Sequence, residues 1–154
     1  MRTKIVSDER NLIDIIEKSN ICFVSMVDEQ GLPYVLPFNF GFKNNLIYLH
    51  SGNEGRKVDI LKSNPNVCIA FSNSEELAYQ DKDVACSHFM KYRSVLVYGK
   101  VKFIENKEDK IDALNIIMKH YTGREDYKYN DPAINNVLVF TVEAEKKTGK
   151  IMGY

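Results

Sequence analysis

Arg56 and Lys57 follow a glycine-bearing turn and stand where a helix begins, a position from which two cations can hold an anion. The stretch Leu46-Ile-Tyr-Leu-His50-Ser-Gly-Asn-Glu-Gly55-Arg-Lys57-Val-Asp-Ile-Leu61 reads as an apolar strand, a turn and a helix start. Helix N-termini carry unpaired N–H groups and a partial positive charge. A guanidinium and an ammonium added there make a phosphate site. It is not a P-loop, because Gly52-x-x-Gly55-Arg-Lys-Val has the wrong glycine spacing and no hydroxyl after the lysine. A glycine turn leading into a basic helix start also suits a plain solvated connection, so the neighbouring segments have to decide.

Other chemistry is harder to place. His50, His88 and His120 lack ligand spacing, so no histidine-based metal or haem site is expected. His120, in the last turn of a helix, complements the helix dipole most simply. Cys22, Cys68 and Cys86 are odd in number and form no Cys-x-x-Cys pair, which argues against a disulfide framework or zinc and for a reducing cytoplasm. Cys22 and Cys68 lie in apolar runs and read as buried, inert thiols. No Ser-His-Asp or paired-carboxylate constellation stands out, and no catalytic acid or base is nominated.

The elements that must position Arg56 and Lys57 follow from periodicity. With 154 residues, the chain is expected to form one domain over residues 1–154 that buries roughly 70% of its unfolded surface. Lysine plus arginine equals aspartate plus glutamate at 21 each, which leaves no electrostatic footprint for nucleic acid or an anionic membrane. There is no basic-then-apolar signal pattern and no apolar run of spanning length, so a soluble, cytoplasmic protein is expected. Ser7 or Asp8 caps a short helix carrying Leu12, Ile15 and Ile16. Strands are expected at 21–27, 33–42, 46–50, 67–71, 92–104 and 137–143. Pro37 cannot donate to a ladder, so its strand must be an edge, kinked or bulged. In the long strand, Val95, Val97, Val101 and Phe103 share one face, and Gly99 marks a close approach. A second amphipathic helix starts at Glu105-Asn106, buries Ile111, Leu114, Ile117 or Met118, and Tyr121, and stops at Gly123. Residues 72–91 read as strand continuation plus a loop, 124–135 as a loop in which Tyr127 and Tyr129 pack against the helix, and 146–154 as a tail. The pattern predicts a mainly β fold, a small antiparallel barrel with three helices outside it.

Three segments in order are more specific than any one: Pro33-Tyr-Val-Leu-Pro-Phe-Asn-Phe-Gly, then His50-Ser-x-x-x-Gly55-Arg-Lys57, then Tyr92-Arg-Ser-Val-x-Val-x-Gly-Lys-Val101. Together with Thr148-Gly-Lys150, this order resembles the flavin-binding split-barrel superfamily of pyridoxamine-phosphate oxidase, in its nitroimidazole-resistance (Nim-type) branch. The resemblance implies a six-stranded antiparallel split β-barrel with peripheral helices, forming a homodimer with FMN at the interface; FAD is the alternative. It implies that the phosphate meets Lys57, with Arg56, His50 and Ser51 nearby, and that the flavin ring lies against Leu36, Pro37, Phe38 and Asn39. Tyr92, Arg93 and Ser94 match the long-strand motif that contributes to the interface and the flavin site. The additional basic and C-terminal substrate motifs of true pyridoxamine-phosphate oxidases are missing, so pyridoxal phosphate is not the expected product.

The resemblance therefore implies a flavin-dependent oxidoreductase that takes electrons from NAD(P)H and passes them through FMN to a small-molecule acceptor, such as a nitroimidazole, another nitro-aromatic compound or a quinone. A non-enzymatic flavin carrier or redox sensor on the same fold is the alternative, and a barrel binding another planar ligand such as haem is a third. Neither a nucleic acid nor a membrane partner is expected.

Overall fold

The computed structural model describes residues 3–154, which contain nine strands and four α-helices. In chain order these are β1 (Thr3–Val6), α1 (Glu9–Glu17), β2 (Cys22–Val27), β3 (Pro33–Phe38), β4 (Phe40–Lys43), β5 (Leu46–Gly52) and α2 (Arg56–Ser63). There follow β6 (Asn66–Tyr79), β7 (His88–Ile104), α3 (Lys107–Thr122), α4 (Asp131–Asn135), β8 (Val137–Glu143) and β9 (Lys146–Met152). Every strand pairing is antiparallel.

The strand order is β3-β2-β6-β7-β8-β5-β4, with β9 joining β7 to β1. One edge of β7 pairs with β6, while the other changes partner along its length. Tyr92–Tyr98 pairs with β9, and Val101–Ile104 with β8. The barrel is split at that change, and Gly99 stands there. A Cβ on Gly99 would overlap the Glu143 carbonyl oxygen and come 2.7 Å from Val142 Cγ1, so no side chain fits. Inside the barrel, Val24, Met26, Phe40, Leu49, Ile69, Val97, Phe140 and Val142 form a continuous apolar core. Alternation dictates this: along β2, Cys22, Val24 and Met26 are buried while Phe23, Ser25 and Val27 are exposed.

The helices are ended by local chemistry. The Asp8 carboxylate accepts the Asn11 N–H at 3.1 Å at the start of α1, and the Asn106 side-chain Oδ1 accepts the Asp109 N–H at 3.1 Å at the start of α3. Gly123 closes α3 with a left-handed conformation. The face Leu12, Ile15 and Ile16 of α1 enters the barrel core; Ala113, Leu114 and Ile117 of α3 form a second cluster with Ile134 and Val139.

All six expected strand segments are strands, but the architecture adds to them. The segment 33–42 divides at Asn39 into β3, which pairs with β2, and β4, which pairs with β5. Pro37 does lie on an edge strand, since among the described residues β3 pairs with β2 alone. The tail is not a tail: β9 pairs with both β1 and β7, and neither β1 nor β9 carries an apolar alternation that would have announced it. Residues 72–91 form an arm in which Glu76–Tyr79 pairs with His88–Lys91 beyond a register shift at Asn73/Glu76. Within the expected loop 124–135, Asn130 caps the short α4, making a fourth helix. Tyr127 and Tyr129 do pack on α3, through the Asn115 side chain. Tyr121 is 42% exposed rather than buried, and its hydroxyl meets two main-chain partners. His120 does more than complement a dipole: its Nε2 lies 2.8 Å from the Ser19 carbonyl and its ring 4.4 Å from that of Phe40. Cys22 is buried, Cys68 half-buried and Cys86 exposed.

Candidate functional site

Gly55 turns the chain into α2 with φ 108°, a conformation that L side chains rarely adopt. It has no side chain to cap the helix, and the first ladder bond is the Val58 N–H to the Gly55 carbonyl at 2.9 Å. The N–H groups of Arg56 and Lys57 stay available to an anion, and the buried residues Val58, Ile60 and Leu61 fix the helix against the barrel.

The two cations at that turn part company. Arg56 is held by the Asp28 carboxylate at 3.3 Å and lies 4.6 Å from the centre of the Tyr34 ring. Asp28 itself titrates below the ordinary carboxylate range, mainly because it accepts the Leu32 N–H, with the Gln30 N–H and Arg56 adding to the effect. Lys57 is half-buried and has no carboxylate partner among the described residues. It lines a recess of about 490 Å³ with the end of β3 (Leu36, Pro37, Phe38), Asn39, and the end of β5 (His50, Ser51, Gly52). The Ser51 hydroxyl donates to the Gly52 carbonyl at 2.7 Å and must turn to donate elsewhere. Burial pushes the His50 imidazole below its ordinary value of 6.5, so near neutral pH it is uncharged and offers one N–H. Lys57 therefore supplies the unpaired charge of the recess. Along the open edge of β3, every second residue turns its main-chain groups away from β2, ready for a ligand.

Among the residues singled out in sequence, the fold thus gathers Leu36–Asn39, His50, Ser51 and Lys57. Arg56 lines a neighbouring recess with Asp28 and Asp59. Tyr92, Arg93 and Ser94 face β9 in register with Met152, Ile151 and Lys150, and none of them lines the recess. Arg93 instead lies 4.8 Å from the centre of the Tyr154 ring.

The model of the family described as pyridoxamine 5'-phosphate oxidase matches residues 8–151. The chain belongs to that family. It is 45% identical to a protein described as a 5-nitroimidazole antibiotic resistance protein from Bacteroides thetaiotaomicron, over 97% of this chain and 87% of that one, with TM-score 0.87. Flavocytochrome Anf3 from Azotobacter vinelandii has the same fold at 18% identity, with TM-score 0.82 over 97% of this chain and 70% of that one. The FAD and heme binding protein from Mycobacterium smegmatis does so at 15% identity, with TM-score 0.84 over 98% and 74%. A comparison with curated proteins found no match.

This pyridoxamine 5'-phosphate oxidase family member has a larger recess of about 960 Å³ between α3 and the outer face of β5 and β8. Glu105, Asp109, Asp112 and Glu125 border it against one cation among the described residues, Lys43, a poor setting for a phosphate. One residue that lines the smaller recess escaped the sequence reading, as did one hydrogen bond behind its wall. Ile21 lies there because β2 turns its odd-numbered residues outward, a phase that the apolar run already carries. Tyr121 reaches Phe40 across 81 positions of sequence, and no local signal could have announced it.

Proposed function

We propose that the recess formed by β3, β5 and the start of α2 binds FMN, and that the protein is a flavin-dependent reductase passing electrons from NAD(P)H to a small acceptor such as a nitro-aromatic compound. The observation that carries this reading is the unpaired Lys57 at an uncapped helix start, facing the same recess as the open edge of β3. The donor set suits the ligand: free amides and an ammonium for a phosphate dianion, and main-chain groups of Leu36–Asn39 for the polar edge of a planar ring. A bound flavin would supply the hydride chemistry, as cofactors generally do. Lys57 holds the phosphate, β3 orients the ring, and uncharged His50 offers one N–H without adding a second charge. The 45%-identical relative's description supports a nitroimidazole-type acceptor.

In the same reading the protein is a homodimer. Pro37, Phe23, Ala70 and Leu96 form one row across β3, β2, β6 and β7, and Val35, Ser25, Cys68 and Tyr98 the next. This outward apolar face begins at a wall of the recess. Tyr92 and Ser94 share the parity of Leu96 and Tyr98, so a second copy seated on this face brings them to the recess of its neighbour.

The test is the visible spectrum of the purified protein, mass analysis of the heat-released ligand, and steady-state oxidation of NADH and NADPH with and without a nitroimidazole. A yellow protein releasing FMN and turning over is expected. A colourless protein that takes up no added FMN refutes the reading; released FAD changes the cofactor, a haem spectrum changes the ligand, and bound flavin without turnover makes the protein a carrier or sensor.

A further inference from the structure

Tyr121 stands outside the recess yet touches the main chain behind two of its walls. Its hydroxyl accepts the Phe40 N–H at 3.1 Å and donates to the Asn20 carbonyl at 2.8 Å. Asn20 precedes Ile21, Phe40 follows Asn39, and both Ile21 and Asn39 line the recess. The neighbouring His120 adds a second hold, with Nε2 2.8 Å from the Ser19 carbonyl; because that carbonyl only accepts, Nε2 carries the proton. The last turn of α3 thus grips the chain before β2 and the chain at the start of β4 together.

The grip falls where the sheet provides least. Asn39 is the joint at which the chain leaves the ladder with β2, last paired at Phe38, and enters the ladder with β5, first paired at Phe40. The Phe40 ring is fixed in the core, 4.9 Å from Phe71, but a fixed ring leaves the preceding peptide free to tilt. We propose that Tyr121 is a positioning residue: its single oxygen sets the separation of Asn20–Ile21 from Asn39–Phe40, and so the width of the recess and the aim of the Asn39 main chain. What the recess holds rests on the flavin reading; the clip itself does not.

The experiment compares wild type, Tyr121→Phe and Tyr127→Phe. Tyr121→Phe removes one oxygen and keeps the ring beside His120, 4.7 Å away. Tyr127 is the control, since its hydroxyl has no hydrogen-bond partner among the described residues. Amide hydrogen exchange at Phe40, read by NMR on flavin-free protein, should be slow in wild type and in Tyr127→Phe. It should quicken about fivefold or more in Tyr121→Phe, as expected for losing one ordinary hydrogen bond. FMN affinity should fall about five- to tenfold in Tyr121→Phe alone, with a shift in the visible bands of the bound flavin. A fast-exchanging Phe40 amide in wild type, or exchange unchanged by Tyr121→Phe, overturns the clip. Faster exchange with unaltered FMN affinity and spectrum overturns the positioning role. Wild type that binds no FMN overturns the flavin reading and the role built on it, a result told apart by the ligand-free exchange data.

Discussion

Lys57 and Arg56 are neighbours in sequence with unequal freedom, and the difference can be measured. Arg56 is committed to Asp28 and Tyr34, whereas Lys57 faces the recess without a counter-ion among the described residues. Lys57→Ala should weaken FMN binding by about 1.5–3 kcal/mol, or about one to two decades, because it deletes a charge-assisted bond. Titrations of Lys43→Ala and Lys62→Ala should match wild type, and equal losses at all three lysines would point to unspecific attraction instead. His50 makes a pH prediction. Burial lowers its folded-state value beneath the ordinary 6.5, so the unfolded chain binds the proton more readily. The stability it contributes is complete above pH 6.5, declines as pH falls from there through the lowered value, and is then level. Urea midpoints at several pH values should show this part of the acid sensitivity in wild type and not in His50→Gln. The thiols divide as well: burial pushes Cys22 up to about 12, while Cys86 is exposed. Iodoacetamide followed by mass analysis should label Cys86 in the native protein and Cys22 only after unfolding.

Among the elements, β7 bears the most varied demand. It pairs with β6 along one edge and hands the other from β9 to β8 across Gly99. The chain at Glu143 comes so close there that the overlap involves a carbonyl oxygen, which cannot swing aside as a side chain can. Gly99→Ala should therefore destabilise the fold by about 1–3 kcal/mol or more, read from urea or thermal unfolding. A variant as stable as wild type would mean that the two ladders separate more easily than their close approach implies. The β6–β7 arm shows a further property of this strand. Beyond the shift at Asn73/Glu76 it continues as a two-stranded ribbon, with Leu77 and Tyr79 exposed.

At the scale of the whole molecule, the outer face of β3, β2, β6 and β7 leaves Phe23, Val35, Leu96 and Tyr98 exposed at 45%, 55%, 38% and 41%. A contiguous apolar sheet face of this kind is what a two-fold partner covers. Leu96→Asp, or a charge at Tyr98, should lower the molecular mass seen by light scattering and weaken flavin binding in the same samples. A stable monomer with full flavin affinity would exclude a site shared between copies.

Much of this molecule was written locally. Alternation at Cys22–Val27 and Val95–Val101 named the inward faces, Ser7 or Asp8 and Glu105-Asn106 bracketed the two helix starts that Asp8 and Asn106 cap, and Gly55-Arg-Lys57 named a turn into a basic helix start. These features depend on neighbours within a few residues, so the sequence alone determines them. Pro37 announced an edge, a kink or a bulge in the same way, since a missing N–H is a property of one residue, and the sheet made it an edge. Tertiary structure decided the rest. Strands β1 and β9 are strands because they find each other and β7, not because their own residues alternate. The division at Asn39 follows from two different ladders claiming the two halves of one apolar run. Whether Arg56 faced the recess depended on Asp28, which lies 28 positions earlier. Tyr121 reaches the main chain behind the recess through bonds spanning 81 and 101 positions, and contacts at such distances leave no periodicity in the sequence to read.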